Sequence, residues 1–200
     1  MIEVERKFIL TKENVDSLTK NAEFLREVVF TDTYYDTPDY KLTTKDIWLR
    51  ARNGKFELKV PLHKNTERIA EQYKELETED EIRKELKLPG KDFAEDLQKS
   101  GYLEFCTCKT IRKKYKNEQF TIDLDQVEFE NQVYHIGEIE LMVEKEADME
   151  QALKQIAEFA RKQKLTLAPV RGKVLEYLRL FKPKHYEALI TAGVVQEILR

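Results

Sequence analysis

The sequence predicts an α+β fold in which eight antiparallel strands form a closed or nearly closed β-barrel with peripheral helices. Eight segments have the residue types or the alternating pattern of strands, and short connections join most of them. Segments with apolar residues at helical spacing lie outside these strands. In several strands, charged residues recur two positions apart, so they share one face of the strand. If that face lines the barrel, the lumen is charged.

Residues 2–10 show this alternation most clearly. Glu3, Glu5 and Lys7 fall on one face of the predicted strand, whereas the other face is apolar except for Arg6. A half-buried strand with its charged face in water accounts for one such segment. The same construction in four later strands requires a further explanation.

In the amino-terminal half, short helices are predicted among the strands. Thr11 is a candidate helix N-cap, although Asn14 matches a capping box only in part. The Asn-Gly pair at 53–54 is a strong hairpin signal, and Pro-Gly at 89–90 separates two helical segments. The elements predicted after the first strand are a helix at 11–22, strands at 25–37, 46–52, 55–60 and 69–78, and helices at 80–87 and 91–100.

In the carboxyl-terminal half, a second hairpin is predicted around residues 116–118, and Pro183 separates the last two helical segments. The predicted elements are strands at 104–115, 119–125 and 133–144, and helices at 149–164, 174–181 and 186–199. The chain has no internal repeat, low-complexity tract or linker. We therefore expect one domain over residues 1–200.

Charge is abundant but balanced. Charged residues make up 36% of the 200 residues, and the net charge is only −3. Typical globular domains contain about 25% charged residues. A nucleic-acid-binding surface requires a one-sided basic excess, so the composition argues against a nucleic-acid partner. Balanced charge at this density fits a salt-bridged surface or a polar cavity in which acids face bases.

The two cysteines, Cys106 and Cys108, are too close along one predicted strand for an unstrained disulfide, and two cysteines alone do not form a zinc site. We expect reduced thiols. No apolar run approaches the ~18 residues of a membrane span, and the charged N-terminus is unlike a signal peptide. The expectation is a soluble, monomeric protein of the cytoplasm that does not bind a membrane.

The charged faces of the predicted strands combine bases with acids. A dry interior would penalise each ion by several kcal/mol. A cavity that holds a polyanion and a divalent cation would accommodate them, because arginine binds phosphate bidentately and clustered carboxylates suit Mg²⁺ or Mn²⁺. A charged outer surface is the alternative. The set contains Lys7, Arg50, Arg52, Lys59, Arg112, Lys114, Glu3, Glu5, Glu57, Asp123, Asp125, Glu138 and Glu140. Apolar residues of the same strands should be buried on the opposite face: Leu49, Leu58, Ile122 and Ile139.

Six motifs carry these charges: Glu3-Val-Glu-Arg-Lys7, Trp48-Leu-Arg-Ala-Arg52, Phe56-Glu-Leu-Lys59, Tyr73-Lys-Glu-Leu76, Asp123-Leu-Asp125 and Gly137-Glu-Ile-Glu140. They resemble the CYTH superfamily, the triphosphate tunnel metalloenzymes. The first motif resembles the E-x-E-x-K signature of that superfamily. The resemblance implies an eight-stranded antiparallel tunnel that binds a small-molecule triphosphate together with Mg²⁺, or alternatively Mn²⁺.

Within the superfamily, the chain is most similar to the animal thiamine-triphosphatases. The motifs are Ile2-Glu-Val-Glu-Arg-Lys-Phe8, Asp32-Thr-Tyr-Tyr-Asp-Thr-Pro38, and Tyr177-Leu followed by Phe181-Lys-Pro183. Two segments depart from that pattern. Residues 63–71 are short, and Arg171-Gly-Lys173 replaces a more apolar approach to the last tunnel lysine.

The resemblance also implies roles for individual residues. The metal ligands would be Glu3, Glu5, Asp123, Glu138 and Glu140, with Glu75 and Asp125 as secondary members. The triphosphate would be bound by Arg50, Arg52, Lys59, Arg112 and Lys173, with Lys7 beside them. Trp48 would stack on the thiamine moiety. Lys59 and Lys7 are the catalytic candidates, and Lys59 would orient or deprotonate the attacking water. A lysine base requires a lowered pKa, which neighbouring arginines and desolvation would favour.

The implied function is metal-dependent hydrolysis of thiamine triphosphate to thiamine diphosphate and phosphate. An inorganic triphosphatase would need the same tunnel without an aromatic platform. An adenylyl cyclase would need a purine pocket, which the sequence does not identify. A polyphosphate-binding module without turnover would be favoured by the loss of metal-binding carboxylates, and all of them are present.

Several residues also have structural interpretations. Trp48 on its own is typical of a core residue, and only the resemblance favours a stacking role. Tyr34 and Tyr35 are expected to pack in the core beside a turn. The three histidines are not at ligand spacing, and we expect them at the surface: His63, His135 and His185.

Overall fold

The computed structural model describes residues 2–62, 73–90 and 92–195. Its strands are β1 Ile2–Ile9, β2 Glu23–Asp36, β3 Trp48–Arg52, β4 Lys55–Pro61, β5 Tyr73–Leu76, β6 Leu103–Asn117, β7 Phe120–Phe129 and β8 Gln132–Val143. Its α-helices are α1 Lys12–Thr19, α2 Glu79–Leu86, α3 Phe93–Lys99, α4 Met149–Lys162, α5 Lys173–Phe181 and α6 Pro183–Thr191, with 3₁₀ turns at Thr43–Lys45 and Glu146–Asp148. Parts of the sequence predictions lie outside the described residues: the segment 63–71 with His63, residues 69–72 of the fifth strand, residue 91 of the helix predicted at 91–100 and residues 196–199 of the last helix.

The strands form one hydrogen-bonded sheet in the order β1-β8-β7-β6-β2-β3-β4-β5. The pairs β1–β8, β7–β8, β6–β7, β2–β3, β3–β4 and β4–β5 are antiparallel. The predicted α+β fold with eight antiparallel strands is therefore confirmed. Residues directly opposite each other in such pairs share a face of the sheet, so the register determines which side chains meet.

The described chain divides into two compact units that alternate along the sequence. The first unit contains residues 2–29 and 109–173, and the second contains residues 30–62, 73–90, 92–108 and 174–195. In the first unit, α4 lies against β1 and β8. It buries an apolar stripe that includes Ala152, Ile156 and Ala160, as its helical spacing predicts.

The second unit has its own core. Leu49 and Leu58 lie opposite each other on β3 and β4, and they are buried with Ile82 of α2 and Phe93 of α3. The apolar faces expected from the sequence are confirmed, because the side chains of Leu49, Leu58, Ile122 and Ile139 are all buried. Cys106 and Cys108 are buried and not in a disulfide, in keeping with the predicted reduced thiols.

Some element boundaries differ from the sequence predictions. Thr11 and Asn14 form a complete capping box, in which each residue's side chain accepts a hydrogen bond from the backbone N–H of the other. The strand predicted at 119–125 continues to Phe129, because Val127 and Phe129 extend its buried face against β8. The last described helix begins at Pro183, since proline is well tolerated in the first helical turn. None of the described helices combines the length and hydropathy of a membrane span.

Candidate active site

In the first unit, the register of four strands creates a row of charged residues across the sheet. Lys7 on β1 lies opposite Glu138 on β8, and Glu138 lies opposite Asp123 on β7. Asp123 in turn lies opposite Lys114 on β6. The two acids therefore lie side by side between the two lysines, on the face expected from the two-residue spacing of charges.

Arg112 is the most extensively paired cation of this face. Its Nε and Nη2 donate hydrogen bonds to the two carboxylate oxygens of Asp125, both at 2.7 Å. Nη2 also donates to Glu138 Oε2 at 2.8 Å, and Nη1 lies 2.5 Å from Asp123 Oδ2. Burial opposes the charge on Arg112, but these carboxylates outweigh it and raise the pKa of the guanidinium. For Asp125, in contrast, burial is the main cause of the shift, and it raises the pKa of the carboxyl group. Arg112 therefore remains a cation surrounded by acids.

Two lysines border the same face. Lys7 Nζ lies 2.5 Å from Glu5 Oε1 and 3.7 Å from Glu138 Oε1. Lys173 Nζ donates to Thr110 Oγ1 at 3.1 Å. Both amines thus occupy positions from which they could contact an anion bound to the carboxylate cluster.

The carboxylates of the first unit form two groups that could hold a metal ion. Within each group, one oxygen per residue lies within 4.8 Å of the others. Glu140 belongs to both groups, and it is only 7% exposed. Such an all-carboxylate donor set suits a hard divalent cation such as Mg²⁺ or Mn²⁺. The groups are Glu3, Glu5 and Glu140, and Asp123, Glu138 and Glu140.

Glu140 is buried beside other carboxylates of this cluster. Burial, together with the negative charges of Asp123 and Glu3, raises the pKa of Glu140 to about 8 from an ordinary value of 4.5. Lys114 Nζ, at 3.3 Å from Glu140 Oε2, offsets only part of this repulsion. A bound cation would relieve it, so the cluster favours metal binding on electrostatic grounds.

Asp123 offers an independent test of whether the residues fit a metal. Its side chain is 0% exposed, and within the described structure neither of its carboxylate oxygens accepts a hydrogen bond. One of them, Oδ2, has only ion-pair contacts with Arg112 and Lys114. Buried carboxylate oxygens normally accept hydrogen bonds. A metal ion would satisfy these oxygens, so the donor set fits the expected divalent cation.

The second unit carries a charged face of its own on β3 and β4. Arg50 and Arg52 alternate along β3 with residues that are buried in the core. Arg50 Nε donates to Glu57 Oε2 at 2.8 Å, and Arg52 forms a bidentate pair with Asp32 at 2.7 and 3.0 Å. Burial opposes the charge of Arg50, yet nearby acids including Asp32 and Glu57 raise its pKa. Both guanidinium groups are therefore held in place by acidic side chains.

Trp48, Lys59 and Glu75 form a row on the same face, because the register places them opposite one another on β3, β4 and β5. Trp48 is half-buried, and it shares the face of Arg50 and Arg52 as the sequence predicts. Lys59 Nζ lies 2.6 Å from Glu75 Oε1. Burial favours the neutral acid, but Lys59 lowers the pKa of Glu75.

Each unit thus gathers a subset of the predicted site residues. The first unit brings together Lys7, Arg112, Glu3, Glu5, Asp123, Asp125, Glu138 and Glu140, with Lys173 on the same unit. The second brings together Trp48, Arg50, Arg52, Lys59 and Glu75. Asp125 and Glu75, the two secondary metal candidates, belong to neither carboxylate group, and each is instead paired with a cation.

Two acidic residues of the second unit were not among the site residues predicted from the sequence. Asp32 is 0% exposed and anchors Arg52, and Asp46 accepts hydrogen bonds from Trp48 and Tyr73. Asp32 shares one face of β2 with Tyr34 and Asp36, all three buried, so its alternation was a usable signal. Asp46 lies between the 3₁₀ turn Thr43–Lys45 and β3, outside the strand that was predicted to begin at residue 46.

The surface prediction for His185 is wrong. Its side chain is 3% exposed, stacks on Tyr40 with the ring centroids 3.9 Å apart, and lies 2.7 Å from Thr43 Oγ1 through Nε2. Because α6 begins at Pro183, His185 falls in the first turn of a packed helix. Burial lowers the pKa of His185 to about 4. His135 is exposed as predicted, and Tyr34 is buried in the core.

The chain is similar to known proteins over most of its length. The family model of the CYTH domain matches residues 1–168. Thiamine-triphosphatase of Homo sapiens is 32% identical over 98% of this chain and 93% of its own length. Thiamine-triphosphatase of Macaca fascicularis is also 32% identical, over 95% of this chain and 90% of its own. Among solved structures, the PH1819 protein from Pyrococcus horikoshii OT3 has a TM-score of 0.66 at 25% identity, covering 91% of this chain and 99% of that one.

Proposed function

Because this chain belongs to the CYTH domain family, we propose that it is a metal-dependent hydrolase that converts thiamine triphosphate to thiamine diphosphate and phosphate. The observation that carries the proposal is the carboxylate cluster of the first unit, in which Glu140 belongs to two potential metal groups beside Arg112 and Lys114. The 32% identity to two thiamine-triphosphatases over nearly the full chain supports the choice of substrate.

The carboxylates would hold one or two Mg²⁺ ions, or Mn²⁺ instead. The ligands would be Glu3, Glu5, Asp123, Glu138 and Glu140. When bound, the metal would neutralise phosphate charge and polarise the bond to the terminal phosphoryl group. A purely structural cluster of salt bridges would not need Glu140, because burial and the surrounding acids both disfavour its charged form.

Each unit carries cations that are candidates for binding phosphate groups. Arg112 has a guanidinium fork that can accept phosphate oxygens in place of carboxylates, with Lys7 and Lys173 as further point charges. The proposed phosphate-binding residues of the second unit are Arg50, Arg52 and Lys59. Their acidic partners hold the side chains in place, which reduces the conformational entropy lost when substrate binds.

Lys7 of the first unit and Lys59 of the second are each proposed as a candidate for orienting an attacking water. Both amines form ion pairs with glutamates, so each can donate hydrogen bonds to water while it is held in a defined position. Catalysis would then depend mainly on positioning and charge neutralisation, as is usual for phosphoryl transfer.

Inorganic triphosphatase activity is the second candidate, because tripolyphosphate would use the same cations and carboxylates. The half-buried Trp48 on the face of Arg50 and Arg52 favours a substrate with an organic group. An adenylyl cyclase and a polyphosphate-binding module without turnover are the remaining alternatives.

The test is phosphate release from thiamine triphosphate, tripolyphosphate and ATP, each with Mg²⁺, Mn²⁺ or EDTA. We expect metal-dependent turnover with the highest kcat/KM for thiamine triphosphate. Glu138→Gln should lower metal affinity and activity, whereas Glu150→Gln, the same change in an exposed ion pair on α4, should alter neither. Equal turnover of all three substrates, or turnover in EDTA, would contradict the proposal.

A further inference from the structure

Asp46 holds two aromatic side chains of the second unit in place. It follows the 3₁₀ turn Thr43–Lys45 with φ 62° and ψ 24°, a left-handed conformation that aspartate tolerates better than most residues. Its side chain is buried, and Oδ1 accepts hydrogen bonds from Trp48 Nε1 and from the Tyr73 hydroxyl, both at 2.9 Å. One carboxylate oxygen therefore connects the start of β3 to the start of β5.

The two aromatic rings lie on the charged face described above. Tyr73 is two residues before Glu75 on β5, so both share the face of Trp48 and Lys59. Lys59 Nζ lies 5.9 Å from the centre of the Tyr73 ring. The indole, the phenol and the Asp46 carboxylate thus form one structural group, which we call the Asp46 clamp.

We propose that Asp46 determines specificity for a cationic heterocycle, by orienting Trp48 and by placing a negative charge at the edge of its indole. This inference rests on the proposed function and identifies how the thiazolium of thiamine triphosphate would be distinguished from a neutral group. Cations are attracted to the negative face of an indole, and an anion bonded to the indole N–H strengthens that attraction.

A carboxylate at position 46 differs from an amide mainly in its charge. An asparagine side chain could accept the same two hydrogen bonds through its amide oxygen. A buried carboxylate is considerably more costly to desolvate than an amide. Asp46 therefore provides what an amide would not, a negative charge beside the indole that is useful next to a cationic ligand.

The experiment compares thiamine with a neutral analogue in which a thiophene ring replaces the thiazolium. Trp48 is the single tryptophan of the chain, so its fluorescence reports binding at this position without requiring turnover. Wild type should bind thiamine more tightly than the analogue. Asp46→Asn, which keeps the hydrogen-bond acceptor and removes the charge, should reduce this preference by about three- to tenfold.

Kinetics give a second measurement. In Asp46→Asn, the ratio of kcat/KM for thiamine triphosphate to that for tripolyphosphate should fall by a similar factor, through KM and not kcat. Asp39→Asn, the same change at an exposed residue paired with Lys41, is the matched control and should leave both ratios as in wild type.

Each outcome decides between distinct explanations. If wild type prefers thiamine triphosphate but Asp46→Asn retains the full preference for thiamine over its neutral analogue, the inference is wrong and the proposed function stands. If wild type binds both compounds equally, the inference fails even when the Asp46 variant cannot be folded. If wild type does not turn over thiamine triphosphate, the proposed function itself fails.

Discussion

Glu140→Gln is expected to make the metal-free protein more stable at pH 8 while abolishing the metal-dependent activity. Burial and the charges of Asp123 and Glu3 raise the pKa of Glu140 to about 8, so the folded protein retains a proton that the unfolded chain releases near pH 4.5. The free energy of unfolding therefore falls as the pH rises from 4.5 to about 8. Glutamine mimics the protonated acid at every pH and removes this dependence.

The magnitude follows from the distance between the two pKa values. At about 1.4 kcal/mol for each pH unit, the wild type loses roughly 5 kcal/mol that the glutamine variant keeps. For a protein of this size, this corresponds to a difference in Tm of about 10–20 °C at pH 8. The variant does not leave Lys114 without an acid, because that lysine also contacts Asp123 at 3.2 Å.

The assay is thermal unfolding in EDTA from pH 4.5 to pH 9 for wild type and Glu140→Gln. Taking the difference between the two proteins cancels the titration of His185, which acts in the opposite direction below pH 6.5. Adding Mg²⁺ at pH 8 should raise the Tm of wild type by mass action and leave the variant unchanged. Glu150→Gln, in an exposed ion pair, should behave as wild type.

One result would refute this reasoning. If metal-free Glu140→Gln is less stable than wild type at pH 8, the ionised carboxylate stabilises the fold through Lys114. The cluster would then be a set of structural salt bridges and not a site with an excess of negative charge.

The remaining predictions concern the second unit. Arg52→Ala should raise KM for every triphosphate by about 10- to 100-fold at saturating metal. Adding Asp32→Asn should restore Tm but not KM, because it removes only the Asp32 charge that Arg52→Ala leaves without its arginine. Recovery of KM in the double variant would show that Arg52 acts through stability alone. Trp48→Ala should lower the ratio of kcat/KM for thiamine triphosphate to that for tripolyphosphate by about three- to thirtyfold, and equal losses on both would make Trp48 a packing residue. His185 should contribute a fall of roughly 3 kcal/mol in the unfolding free energy from pH 6.5 to pH 4, because it is neutral when folded and charged when unfolded; Glu140 contributes in the opposite direction above pH 4.5. His185→Gln should lack this fall in urea titrations, and an unchanged slope would mean that other groups cause it.

The strands and their charged faces could be predicted from the sequence because both depend on local alternation. Residues such as Glu3 and Glu5, or Arg50 and Arg52, reveal a shared face by their spacing alone. The Asn-Gly turn at 53–54 likewise determined the β3–β4 hairpin, where residues 48–52 pair with residues 55–59. Membership of the CYTH family was also recognisable, because its motifs lie in these same strands.

The partners of the charges could not be predicted, because they depend on the register between strands. Nothing in the alternation of β2 indicates that Asp32 lies opposite Arg52. Asp46 lies in a turn, and its role depends on the position of Tyr73, distant in the sequence. The prediction that His185 lies at the surface failed for a related reason. Its burial depends on the start of α6 at Pro183, a position that proline tolerates but does not require.

The pairing of β1 with β8 has a consequence for synthesis of the chain. Ile2 pairs with Val143 and Ile9 with Ile136, so β1 is synthesised well before its partner β8, the last of the eight described strands. At about 5–20 residues per second, translation of the roughly 120 intervening residues takes about 6–25 s. During that time β1 is an unpaired strand, which would tend to aggregate if it were apolar on both faces. Glu3, Glu5 and Lys7 act against this as gatekeeper charges, so residues proposed to serve the mature site also keep the nascent chain soluble.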